Sequence, residues 1–199
     1  MTNQTLTVTA EASSSSCDAA APLKKQDVFI SFRGEDTRNN FTSHLHAAFY
    51  QNKIQTFIDY RIPKGDEISP SIFKAIRESN VSVVVLSKDY ASSTWCLREL
   101  VKILEYKKLG GHFVIPVFYK VDPSHVRKQT GTYKKAFEKY ERDVKHNMTK
   151  LLKWKAALTE VANLVGWESR NYRTEYELIE EIVKDVMQKL DRIYPTEFE

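Results

Sequence analysis

Trp95 and Glu99 stand one helical turn apart, and they are the pair of side chains in this sequence best placed for chemistry. Residues at i and i+4 share a helix face. On that face a carboxylate can stabilise a developing positive charge, and an indole can lie against a flat cationic ring. The pair follows Val81-Ser82-Val83-Val84-Val85-Leu86-Ser87, a β-branched run of the kind buried on both faces of a parallel sheet. Between them lies a small, polar stretch, Lys88 to Ser93, whose last serines can cap a helix. That helix continues through Leu97, Leu100, Val101, Ile103 and Leu104. Ligands in open α/β sheets sit beyond the carboxyl ends of the strands, which is where Glu99 falls. The plainer reading of Glu99 is a surface residue favoured by the helix dipole and paired with Lys102.

The elements that must position this pair follow in chain order. Met1 to Lys24 is rich in Ser, Thr and Ala and too poor in large apolar residues to fold, so a disordered leader is expected. Asp27 to Phe32 is a strand. Gly34 permits a sharp turn after it, and Asp36 or Thr37 can cap the next helix. That helix shows a core stripe of Phe41, Leu45 and Phe49, with Ser43 and His44 at its edge. Ile54 to Ile58 is a second strand, followed by the long polar loop Asp59 to Ile68. Ser69-Pro70 opens a helix with buried Ile72, Phe73 and Ile76. After the Glu99 helix, Phe113 to Tyr119 is a fourth strand. Pro116 lacks a ladder donor, so a bulge or a partly unpaired edge must accommodate it. Trp154, Leu158, Val161 and Val165 make a helical stripe. Gly166-Trp167-Glu168 is a short edge strand. Tyr176, Ile179, Ile182, Val183, Val186 and Leu190 mark a closing helix. Strands alternating with helices predict a parallel, doubly wound sheet.

Composition narrows the function classes. The net charge of +4 on 199 residues carries no signature for nucleic acid. No apolar stretch is long enough to span a membrane. The two cysteines, Cys17 and Cys96, form neither a metal spacing nor a disulfide framework, which fits a reducing cytosol. No G-x-G-x-x-G, no G-x-x-x-x-G-K-[ST] and no H-E-x-x-H occurs, so Rossmann, P-loop and zincin readings lack their chemistry.

Several segments in the right order carry a specific resemblance. They are Asp27-Val28-Phe29-Ile30-Ser31-Phe32-Arg33-Gly34-Glu35-Asp36-Thr37-Arg38, Phe41-Thr42-Ser43-His44-Leu45, and Ser93-Thr94-Trp95-Cys96-Leu97-Arg98-Glu99-Leu100. To these add Ile115 to Arg127 and Gly166-Trp167. The chain from 25 to 190 resembles the Toll/interleukin-1 receptor (TIR) domain, in the form found in plant nucleotide-binding leucine-rich-repeat immune receptors. The segment 191–199 resembles the linker leading such receptors into a nucleotide-binding domain. Two positions depart from the usual pattern: Asp59 is followed by Tyr60, and Arg98 precedes Glu99.

The resemblance implies a flavodoxin-like, five-stranded parallel sheet flanked by helices. It also implies hydrolysis of NAD+ to nicotinamide and ADP-ribose-type products when the domain self-associates, in defence signalling that ends in cell death. The family's catalytic glutamate falls on Glu99. Its dinucleotide contacts fall on Arg33, Gly34, Glu35, Asp36, Thr37, Arg38 and Gly65, with Trp95 lining the pocket. Self-association falls on Ser43 and His44, and a second interface on Gly166 and Trp167. NAD+ is then a substrate, and no cofactor or metal is expected. The implied partners are further copies of the domain and other TIR proteins, in the cytoplasm and compatibly in the nucleus. The chemistry needs little machinery: nicotinamide leaves a pyridinium as a neutral molecule, so one ionised carboxylate suffices. The alternative is a self-association and adapter module without catalysis.

Overall fold

The computed structural model describes residues 26–58, 70–143 and 147–195. The leader, the loop carrying Gly65, and the chain from Thr196 onward lie outside the described residues.

The β-branched run forms a strand buried at every position, Ser79–Leu86. It belongs to a parallel sheet made of β1 (Gln26–Phe32), β2 (Thr56–Phe57), β3 (Ser79–Leu86), β4 (Phe113–Phe118) and β5 (Trp167–Glu168). The spatial order is β2-β1-β3-β4-β5, the flavodoxin-like arrangement that the family resemblance implies. Progression across the sheet reverses between β1 and β3, and a ligand crevice opens at such a reversal. The register there pairs Ile30 with Val83, Ser31 with Val84 and Phe32 with Val85.

The helices in chain order are α1 (Gly34–Thr37), α2 (Phe41–Gln51), α3 (Pro70–Arg77), α4 (Thr94–Leu109), α5 (Pro123–Lys128), α6 (Thr132–Asp143), α7 (Met148–Val161) and α8 (Glu175–Ile193). One sheet face is covered by α2 and α8, through Phe41, Leu45, Phe49, Leu178, Ile182 and Val186. The other is covered by α3, α4, α6 and α7, through Ile72, Ile76, Leu97, Leu100, Phe137 and Leu158. Alternation along β1 sends Val28 and Ile30 to the first face, and Phe29 to the second. Ser31 therefore faces α4.

Pro116 finds the partly unpaired edge it requires. Tyr119 N donates to Leu86 O at 3.0 Å, so odd-numbered nitrogens of β4 point at β3 and the Pro116 nitrogen points the other way. On that side β5 pairs only with Val117 and Phe118, and no ladder donor is missed. Gly166 lies against this spot: a Cβ there would come within 2.4 Å of Pro116 O and 2.6 Å of its Cγ.

Four local expectations are corrected. Asn40, not Asp36 or Thr37, caps α2, because both of the latter belong to the one-turn α1. β2 is shorter than Ile54 to Ile58, since Ile54 N closes the end of α2 on Phe49 O at 2.9 Å. Val165 is 99 % exposed, because the chain has left α7 at Val161 and the helical phase no longer applies. Tyr176 is 70 % exposed, and Leu178 takes its place on the buried side of α8.

Candidate active site

The Glu99 side chain is built from three segments. β3 ends at Leu86, the chain turns through Ser87 to Ser93, and Ser93 caps α4 by accepting from Cys96 N at 3.2 Å. This places Glu99 in the second turn of α4, on the face turned to the sheet, and leaves it only 5 % exposed. Trp95 Nε1 donates to Glu99 Oε1 at 2.7 Å. Ser31 Oγ donates to Glu99 Oε2 at 2.7 Å, from the last inward-facing position of β1. Lys102, a partner for Glu99 in the plainer reading, instead bonds Glu105 at 2.7 Å. Trp95 thus meets the carboxylate with its N–H edge.

Tyr90 supports this arrangement from below. Its hydroxyl lies 2.9 Å from Ser31 Oγ and donates to Cys96 O at 3.1 Å. Burial, with smaller effects of Cys96 and Glu99, pushes the Tyr90 phenol well above its ordinary value, so it remains protonated. Burial and then the Glu99 charge likewise push the Cys96 thiol up. Cys96 is a buried packing group whose Sγ lies 3.4 Å from Phe32 O.

A second cluster closes the carboxyl ends of β1 and β3 over the first. Asp36 bonds Arg33 and Ser87 Oγ, and accepts from Asp89 N at 3.2 Å. Arg33 also pairs with exposed Glu35. Burial works against the Arg33 charge, but Asp36 and Glu35 outweigh it and the guanidinium is held above its ordinary value. The Arg38 guanidinium lies over Gly34, where a Cβ would meet Nη2 at 2.5 Å. Thr37 is buried, and its hydroxyl accepts from Thr42 Oγ1 at 2.7 Å. Of the residues singled out for the dinucleotide, Arg33, Glu35 and Asp36 therefore form one ionic cluster beside Gly34 and Arg38. Thr37 turns inward, and Trp95 joins Glu99.

The turn after β3 is strapped by α6. Tyr133 donates to Ser87 O at 2.8 Å, Tyr140 donates to Ala91 O at 3.0 Å, and Thr132 Oγ1 donates to Lys88 O. Ser31, Ser87, Asp89 and Tyr90 escaped the sequence reading as site residues. The one available signal was a serine at the end of an otherwise apolar strand.

The residues expected at interfaces lie elsewhere. Ser43 Oγ donates to Asn40 O at 2.8 Å, and exposed His44 Nδ1 lies 3.6 Å from Glu175 Oε2 of α8. Trp167 Nε1 donates to Asp185 Oδ2 of α8 at 3.1 Å. An open groove of about 500 Å3, lined by Tyr172, Tyr176, Glu177, Glu180, Glu181 and Lys184, also runs along α8. It is not part of the Glu99 site. Among the described residues, no helix is long and apolar enough to cross a membrane.

Comparison with known proteins agrees with this architecture. Residues 25–198 match the TIR domain family. The chain is 51 % identical over 180 residues to the disease resistance protein RPV1 of Vitis rotundifolia, an alignment covering 90 % of this chain and 13 % of that protein. It is 46 % identical over 168 residues to the TMV resistance protein N of Nicotiana glutinosa, covering 84 % of this chain and 15 % of that protein. Among solved structures, the TIR domains of the activated Roq1 resistosome, which recognises the pathogen effector XopQ, superpose with a TM-score of 0.74 at 50 % identity. That match covers 81 % of this chain and 99 % of the other. The chain thus spans well under a fifth of the length of these resistance proteins, and it is a member of the TIR domain family.

Proposed function

We propose that this TIR domain cleaves NAD+ at the nicotinamide–ribose bond, with Glu99 as the stabilising carboxylate, and that it does so when assembled, as part of a resistance-type immune receptor. The observation that carries this reading is the Glu99 carboxylate itself. It is buried at the sheet's reversal point, with a hydroxyl on one oxygen and an indole N–H on the other.

The chemistry follows from charge. Breaking the bond to a pyridinium sends the electron pair to the ring nitrogen, and nicotinamide departs neutral without a proton. Positive charge builds on the ribose as an oxocarbenium. A fixed carboxylate in a low-dielectric site stabilises that charge strongly. Water then adds to the sugar carbon, one proton is released, and ADP-ribose results. Arg33 and Arg38, beside the Gly34 backbone, supply the cationic groups suited to a diphosphate. For Arg33 to serve, substrate oxygens must compete with Asp36 and Glu35. The decisive measurement is chromatographic detection of nicotinamide with Glu99 intact and with Glu99→Ala. The substitution abolishes release while the fold persists; unchanged turnover in the variant refutes the assignment.

A second reading is supported by the surface: His44 is exposed at the α2–α8 seam, 3.6 Å from Glu175. The domain would then act through proximity as a self-association module. The two readings combine if assembly gates catalysis. Ser43→Ala with His44→Ala then lowers association by light scattering and nicotinamide release together; loss of association with full turnover separates them.

A further inference from the structure

Ser31 is fully buried on a strand whose neighbours Val28, Phe29 and Ile30 are apolar. A hydroxyl in such a place costs free energy unless it is hydrogen-bonded. Three short contacts surround it, Ser31 to Glu99, Ser31 to Tyr90 and Tyr90 to Cys96 O, yet the two hydroxyls hold only two protons. An ionised carboxylate only accepts. The Ser31 proton therefore goes to Glu99 Oε2. The Tyr90 proton goes either to Ser31 Oγ or to Cys96 O, and both choices leave Ser31 aimed at the carboxylate. When Tyr90 donates to Ser31, the chain of hydroxyls is polarised toward Glu99.

The two donors to Glu99 differ in what they fix. Trp95 sits on the same helix as Glu99, so its bond sets the carboxylate only relative to α4. Ser31 belongs to β1, the strand whose end carries Arg33 and Gly34. Its bond sets the carboxylate relative to the sheet edge where a substrate must lie. We propose that Ser31 is the positioning residue of Glu99, delivering its hydroxyl from β1 to aim the carboxylate. This rests on the reading of Glu99 as the carboxylate of NAD+ cleavage.

Ser31→Ala removes one hydroxyl while leaving Tyr90 its bond to Cys96 O. At matched protein concentration, kcat for nicotinamide release falls about 10- to 100-fold, the scale of a small misplacement of a reacting group, with KM changed less than about twofold. Ser31→Thr restores most of the rate and Ser31→Cys, a poor donor of similar size, does not. Should the alanine variant fold poorly, the cysteine and threonine variants make the same comparison. A second readout is independent of activity: the indole N–H signals of Trp95, Trp154 and Trp167 in a nitrogen–proton correlation spectrum. In Ser31→Ala the Trp95 signal moves, because its acceptor has moved, and the other two stay. Unchanged kcat in an active background overturns the proposal, as does a loss in which KM rises in proportion or all three indoles move. If the wild-type chain releases no nicotinamide, the reading of Glu99 as catalytic fails. The Trp95 signal then decides alone whether Ser31 orients the carboxylate: displacement upholds it and an unmoved signal overturns it.

Discussion

Asp36 and Ser87 are 51 residues apart in sequence and joined by a hydrogen bond across the ends of β1 and β3. The same carboxylate takes Arg33 and the backbone N–H of Asp89, so one side chain ties the two strands that flank the site. Removing it leaves the Ser87 hydroxyl and the Asp89 N–H without this acceptor, while Arg33 keeps Glu35; each buried group left unmet costs about 1–3 kcal/mol. Asp36→Ala is therefore expected to lower the melting temperature by several degrees. Calorimetry checks it, and an unchanged melting curve removes Asp36 from the set of structural ties.

Trp95 offers the site an N–H and a ring, and the two can be separated. Trp95→Phe keeps an aromatic face and loses the donor to Glu99 Oε1. Losing a hydrogen bond to a charged acceptor costs about 1.5–3 kcal/mol, which becomes a loss of roughly 10- to 150-fold in rate only if the bond gains that much strength in the transition state. Trp95→Ala loses both and raises KM as well. Steady-state kinetics of nicotinamide release distinguishes the cases: equal kinetics for Phe and Trp would show that the N–H is not used.

Two glycines invite the same substitution with unequal results. At Gly166 an added methyl meets the backbone carbonyl of Pro116, which is held in β4 and cannot retreat. At Gly34 it meets the tip of the Arg38 side chain, which can swing away. Gly166→Ala is expected to destabilise the fold by about 1–3 kcal/mol, the usual range for overpacking, and Gly34→Ala by much less. Urea unfolding of the two variants side by side is the test; equal losses would mean that the Arg38 tip is as immovable as a strand.

Alkaline stability has a defined direction. Burial pushes the Tyr140 hydroxyl up to about 12, and raises Tyr90 and Tyr133 as well. The unfolded chain gives up such protons near pH 10. Below about pH 10 both states keep the proton and the stability is fully present. Between about 10 and 12 the unfolded state loses it first, so stability falls as pH rises. Tyr140→Phe starts lower by about 1 kcal/mol, having lost the bond to Ala91 O, but declines less steeply across that window. Unfolding titrations at fixed temperature measure both slopes; parallel declines would assign the alkaline limb to other groups.

The parts of this molecule visible in its sequence are those carried by local periodicity. The buried β3 run, the Phe41–Leu45–Phe49 stripe and the shared face of Trp95 and Glu99 need only spacing to be seen, and all three are present in the fold. The demand of Pro116 for an unpaired edge was legible for the same reason. The Ser31–Glu99 bond spans 68 residues, and no pattern within one element announces it. Helix phase misled where a helix stopped early, as at Val165, and where a stripe was counted one position too far round, as at Tyr176. Asp36 could have been a cap by type. Only the neighbouring strand end, arriving with Ser87, reveals its other use.

The three clasps from α6 onto the carbonyls of Ser87, Lys88 and Ala91 have a thermodynamic meaning. They freeze the rim between β3 and α4 before any guest arrives, so its ordering entropy is met when the chain folds and not at encounter. That wall behaves as a die rather than a glove. On the proposed reading of the site, a substrate would be selected by whether it suits that shape, with little of its affinity consumed in moulding it.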